Sequence, residues 1–274
     1  MEHLRAMIKP ISRSRGNPWS MSVEMRVGEG NLPQPAGPMG WHDLIEDLVG
    51  VNLRGLRTLA AAFAQPATLF TSARARDWDG QVFSPSVRVY IFLIAVILFF
   101  QFIWGDASSP SAEAMREQFE ALAAADPRLD DPELVGRVMN LFALVFPIVA
   151  VLISFIGSLL VRIWGAGTPI LARIRLYFAA ILPSTFLQLF GTVGLALTPA
   201  SFVNLALVVA LLLYWIADVA TTYRGLAPVH ARGGRIWRAI LFGLVNLIAI
   251  VLASNISGVI AANVEIARAL SAPG

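Results

Sequence analysis

The 274-residue sequence predicts an all-α integral membrane protein, a bundle of five transmembrane helices preceded by a cytoplasmic amphipathic helix. Three observations carry that expectation. Hydrophobic residues make up 57% of the chain and charged ones only 14%, with a mean hydropathy of +0.67, whereas a soluble domain is about one quarter charged. Five apolar runs, 87–104, 141–161, 176–197, 202–222 and 239–262, match or approach the roughly 17 to 25 helical residues that cross a hydrocarbon core. The basic residues, 20 Arg and one Lys, gather in the connections between those runs.

Residues 1–40 come first and are rich in Pro, Gly, Ser and Arg without a sustained period. The expectation is a disordered tail. Met21, Met25 and Met39 offer alternative starts, and a mis-called start codon accounts for this tail as readily as a genuine extension does. No signal peptide is expected, because the first long apolar run begins only near Val87, so that run acts as its own insertion signal.

Residues 41–86 form the cytoplasmic amphipathic region. At 100° per residue, Leu44, Ile45, Leu48, Val49, Val51, Leu53, Leu56, Leu59, Ala60 and Phe63 fall on one arc, opposite Asp43, Glu46, Asp47, Arg54, Arg57 and Thr58. Such a helix either lies in the membrane interface or packs on the cytoplasmic face of the bundle. Gln65 before Pro66 ends it, since a residue preceding Pro is pushed out of the α region.

The first crossing, 87–104, holds Arg88 and Gln101, with Tyr90 and Trp104 near the two interfaces. Loop 105–140 carries eight acids against three Arg. Within it a short helix is expected from Ser111 to about Ala125, capped by Ser109 with Pro110 at its first position. Asp131, Pro132 and Glu133 repeat that signal ahead of the second crossing, 141–161. Pro147 and Pro183 mark kinks in the second and third crossings, and Gly165-Ala166-Gly167 makes a turn between those crossings. The fifth crossing, 239–262, carries two small-residue rows, Ser254/Gly258/Ala262 and Ala253/Ser257/Ala261, which suit close helix packing in lipid. Residues 265–274 are expected as an external tail.

Charge sets the orientation. Ten basic residues, counting Arg88, stand at or before the start of the first crossing; three lie in 105–140, three in 162–175, none in 198–201, four in 224–238 and one after the last run. Basic connections favour the cytoplasm. The expected location is therefore a bacterial inner (plasma) membrane, crossed several times, with the N-terminus cytoplasmic and the C-terminus periplasmic.

The lipid bilayer is the expected partner, with anionic lipid contacts through the cytoplasmic Arg and a membrane-protein partner or a second copy as further candidates. The sequence pI of 9.8 does not imply nucleic acid here, because the charge follows topology. The chain contains no Cys and three scattered His, His3, His42 and His230. That composition removes thiolate catalysis and offers no metal set. Phosphate-loop, zincin, nucleophile-elbow and dinucleotide motifs are missing from the sequence. No catalytic residue, cofactor site or metal site is expected, and the chain is read as a non-enzyme.

One acid, Asp218, interrupts the apolar runs, in LLLYWIADVATTYRG (211–225). An intramembrane acid is a functional candidate by default. Tyr214, Thr221 and Thr222 stand at helical neighbour spacings from it, and Arg224, Arg235 or Arg238 could reach down as a cationic partner. Its shallow depth, about 9 Å along the helix from Arg224, favours a structural anchor over a proton or ion site. The candidate polar site is Asp218, Tyr214, Thr222 and Asn246.

Residues 57–100 resemble the opening of an uncharacterised family of bacterial multi-pass membrane proteins. There an amphipathic segment ending near a Pro precedes a basic patch and a Pro-x-Arg-x-Tyr lead-in to the first membrane helix. Pro66, Arg74, Arg76, Pro85, Arg88 and Tyr90 stand in those places, with the Pro-to-Arg distance one residue longer. LFALVFPIVAVLISFIGSLLVR (141–162) is similar to the family's second helix and 211–225 to a later one, so the resemblance covers most of 45–235. Pro66 and Phe70 ahead of five helices also resemble the Yip family of five-helix membrane proteins. Both resemblances imply an architecture and neither implies chemistry. The expected role is a non-enzymatic scaffold or envelope-organising interaction protein; the alternative is a small transporter or channel using a polar path around Asp218 and Asn246.

Overall fold

The computed structural model describes residues 53–75, 82–104, 116, 119–120, 124, 126, 129, 131 and 133–271. The expected tail 1–40, the first part of the amphipathic region, most of the helix expected over 111–125 and residues 272–274 lie outside the described residues. All the long elements among them are helices: α1 (Leu53–Ala64), α2 (Pro66–Arg74), α3 (Ser86–Trp104), α4 (Leu134–Leu160), α5 (Ile170–Ala196), α6 (Val203–Gly225) and α7 (Arg232–Ser271). A single 3-10 turn, Ala200–Phe202, leads into α6.

Four of these helices, α4 to α7, are long and apolar enough to cross a membrane; α3 is apolar and holds 19 residues. Their outward faces carry large apolar side chains. Leu144, Ile148, Leu152 and Ile156 form one exposed stripe on α4 at four-residue spacing, and Leu205, Val208, Leu212 and Ile216 form another on α6. Water would penalise such surfaces, whereas lipid does not distinguish them from the protein interior.

The inward packing uses small side chains. Helix α4 packs most extensively on α7, where Ala253, Ser257 and Ala261 are fully buried. Of the two small-residue rows, this second one faces the bundle, while Gly258 of the first faces open space. Helix α3 packs on α5 and α4, α6 packs on α5 and α7, and α5 supplies the core from Ile174 to Leu182. Pro147 and Pro183 both stand inside helices that continue through them.

Helix boundaries extend beyond the apolar runs. Helix α4 begins at Leu134 because Asp131 Oδ1 accepts the Glu133 N–H at 2.8 Å and Asp131 O accepts the Leu134 N–H at 3.0 Å. Residues 265–271, expected as tail, are the last turns of α7. Glu265 there is buried and pairs with Arg137 of α4 at 3.3 Å and with Arg268 at 2.5 Å. Phe119 and Leu129 from the acidic connection are buried in the same cluster as Leu134, Val138 and Ala261.

At the opposite end, Gly165 and Gly167 adopt φ values of 118° and 74° in the α4–α5 turn, conformations that side chains resist. Helix α1 stops at Ala64 and α2 restarts at Pro66, as the Gln65-Pro66 pair requires. The Thr58 hydroxyl accepts the Ser84 N–H at 2.7 Å and lies 3.0 Å from Ser84 O, joining α1 to the start of α3. Arg224 donates to Phe63 O at 2.8 Å and to Ala64 O at 2.6 Å, covering the orphan carbonyls at the end of α1.

The face of α1 that enters the protein is not its apolar arc. Gly55, Thr58, Ala61 and Ala62 are buried, whereas Leu56 is 61% and Phe63 39% exposed, flanked by exposed Arg54 and Arg57. Small residues let the helix approach its neighbours closely, which leaves the larger apolar side chains on the outside.

Candidate functional site

Three helices bring polar groups together in the middle of the bundle. Asp218 lies on α6, 1% exposed. Asn246 on α7 donates from Nδ2 to Asp218 Oδ2 at 2.6 Å, and the Tyr177 hydroxyl on α5 donates to Asn246 Oδ1 at 3.2 Å. The result is a hydrogen-bonded chain from phenol to amide to carboxylate. Ser184 of α5 also lies beside the carboxylate, while its hydroxyl donates to Ile181 O at 2.9 Å. Asp218 Oδ1 and Thr222 Oγ1 are buried and make no hydrogen bond among the described residues.

The arginines considered as partners are occupied elsewhere. Arg224 caps α1, Arg235 stacks over the Tyr223 ring at 4.8 Å, and Arg238 donates to Gly234 O at 2.8 Å and covers Trp237 at 4.4 Å. The reason is azimuth. Six residues on a helix turn through 600°, so Arg224 faces about 120° away from Asp218 whatever its height. The Asp218 carboxylate is held by neutral donors, not by a helix-end cation.

Of the four residues singled out in the sequence, Asp218 and Asn246 meet directly. Thr222 is buried one turn beyond Asp218, and the Tyr214 ring turns away, its hydroxyl lying against Gly191 of α5 where a side chain would collide with it. Tyr177 and Ser184 were missed. Their spacing was a usable signal, since Tyr177, Ile181 and Ser184 follow i, i+4, i+7 along one face of α5. Among the positions carrying the family resemblance, Tyr90 bonds to Ser154 at 3.0 Å, Pro66 opens α2 and Pro85 O accepts the Val89 N–H at 3.2 Å. Arg88 is half-buried on α3.

Two cavities lie within the bundle, and the smaller one reaches Asn246. The larger, about 340 Å³, is lined by every one of the five long helices: Gln101 from α3, Phe142 from α4, Gln188 and Thr192 from α5, Tyr214 from α6, Ser254 and Asn255 from α7. The smaller holds little more than a water, about 20 Å³, between Tyr90, Ser154, Thr185, Gln188 and Asn246. Phe146, Gln188 and Ile250 border both. Beyond Asn246 the interior closes on a layer of buried rings, Tyr177, Phe178, Phe242, Trp164 and Phe70, packed edge to face at 5.3 to 5.8 Å.

Chemically, the cavities offer neutral donors and acceptors on apolar walls, and their inner end is an amide already engaged with a carboxylate. Among the described residues no cluster of three or more His, Asp or Glu could hold a metal ion. No family model, characterised protein or solved structure matches this chain.

Proposed function

We propose that this protein is a small solute-handling protein of the transporter or channel kind, a five-span bundle in a bacterial inner membrane. One observation carries the reading: a cavity lined by all five long helices shares Phe146, Gln188 and Ile250 with a small pocket that reaches Asn246, whose amide holds the sole acid of the apolar runs. Intramembrane polar groups facing a bundle interior mark solute pathways more often than idle surfaces. The scaffold reading, preferred on sequence because no catalytic set is present, took Asp218 as a helix-end anchor beside Arg; Arg224 and Arg238 instead donate to backbone carbonyls and Arg235 stacks on Tyr223. It remains the second reading, favoured by the way Asn246 ties α5, α6 and α7 together.

Charge supports the orientation. Among the described residues, the end bearing α1 and α2 carries Arg54, Arg57, Arg74, Arg162, Arg173, Arg224, Arg232, Arg235 and Arg238, while the other end carries Arg116, Arg137 and Arg268 with Glu120, Asp126, Asp131, Glu133 and Glu265. This asymmetry favours a cytoplasmic basic end and a periplasmic acidic end. The apolar arc of α1, with Arg54 and Arg57 beside it, suits the anionic headgroup region.

Cysteine accessibility separates the two functional readings, because the natural chain has no thiol to interfere. Thr192→Cys should react with a membrane-impermeant thiol reagent in right-side-out vesicles, and more slowly in inverted ones as the cavity changes sides. Adding Asp218→Asn should alter the ratio of the two rates while the protein stays folded. A scaffold instead loses thermal stability with Asp218→Asn and shows no two-sided labelling. Reporter fusions at Ala125 and at the C-terminus should both report the outside; a cytoplasmic signal from either contradicts the odd number of spans.

A further inference from the structure

We infer that the central cavity binds an uncharged organic molecule, one with an apolar body and a hydroxyl or similar donor, and does not bind an inorganic ion. The inference rests on the solute-handling reading above and adds the class of solute. Its first support is the lining. Gln101, Gln188, Thr192, Tyr214, Ser254 and Asn255 supply amides and hydroxyls, the remaining wall is apolar, and no charged side chain borders either cavity. An ion entering there would shed water without meeting an opposite charge, which disfavours its entry.

The second support is the position of the carboxylate. Asp218 borders neither cavity; Asn246, which donates to it at 2.6 Å, lines only the smaller one. At about 340 Å³, the space falls in the range of roughly 300 to 1,000 Å³ typical of small-molecule sites.

The test uses the full chain carrying Ser254→Cys in lipid vesicles, labelled by a small water-soluble methanethiosulfonate. Three probes of matched shape compete with labelling: phenylbutanol, phenylbutyrate and phenylbutylammonium. Phenylbutanol should slow labelling saturably, about tenfold when it stands ten times above its dissociation constant, and the two ions should leave the rate within about twofold. Adding Gln188→Leu, which removes an amide that borders both cavities, should abolish the protection while the introduced thiol still labels, showing that the variant is folded.

If Ser254→Cys does not label at all, the cavity is closed and both the solute-handling reading and this inference fall. If it labels but phenylbutanol gives no protection, or the ions protect equally well, the inference alone is overturned. Protection that survives Gln188→Leu reports partition into lipid and also overturns it.

Discussion

The amide of Asn246 faces two ways, donating a hydrogen bond to Asp218 at 2.6 Å and accepting one from Tyr177 at 3.2 Å. A single side chain thereby couples α5, α6 and α7. Asn246→Leu fills similar volume but strands the carboxylate and the phenol together, and should cost about 1 to 3 kcal/mol. Tyr177→Phe removes only the outer donor and should cost less, about 1 kcal/mol, in line with hydrogen bonds inside membrane bundles. Thermal unfolding in one detergent measures both; a parent-like midpoint for Asn246→Leu contradicts the coupling.

Two glycines should respond in opposite ways to a single methyl group. A Cβ on Gly225 would strike the buried Phe70 ring, whereas a Cβ on Gly258 meets nothing within 4 Å. Gly225→Ala should therefore destabilise by about 1 to 3 kcal/mol through overpacking. Gly258→Ala should be neutral or stabilising by up to about 1 kcal/mol, the helix preference of Ala over Gly. Equal midpoints for the two variants would refute the close approach of α2 to α6.

The acidic end has its own titration. The Arg137 guanidinium, 2.6 Å from Asp131, and the Glu133 N–H hold the Asp131 carboxyl below its ordinary value. A depressed folded-state value gives stability that is fully present above the unfolded value, near 3.9, and is lost as pH falls through the folded one. The difference in midpoint between the parent and Asp131→Asn should stay constant from about pH 5 to 8 and shrink below about pH 4. A difference that already fades between pH 7 and about pH 5 would point to another group.

The outward arc of α1 should sit in lipid. A nitroxide at Leu56→Cys should collide with dissolved oxygen more than with a water-soluble nickel complex, and the order should reverse at Arg57→Cys, since oxygen partitions into acyl chains and the complex does not. Water-like accessibility at both positions would place α1 clear of the bilayer.

Helix existence was legible because lipid thickness demands long apolar runs, and each of the five runs lies almost entirely within one observed helix. Their ends were not. Hydropathy marks the part that lipid surrounds, while α4 and α7 continue through polar turns secured by Asp131 and by Glu265 with Arg137. The site was half legible: Asp218 and Asn246 stood out as polar residues in apolar runs, but Tyr177 looked like ordinary core. Depth along the helix suggested Arg224 as a partner, and angle around it, which decides contact, pointed elsewhere. For α1 the sequence separated apolar from charged faces correctly in kind, yet the protein chose the small-residue face, because close approach depends on bulk more than on hydropathy.

The clasp of Arg224 on Phe63 O and Ala64 O spans 161 and 160 positions of the chain. A ribosome adding about 5 to 20 residues per second needs roughly 8 to 30 s to cover that interval. During it, the carboxyl end of α1 has emerged while the guanidinium that finishes it does not yet exist. Capping of the first helix is thus scheduled after synthesis of the sixth, although its link to α3 through Thr58 and Ser84 spans only 26 positions and can form far earlier.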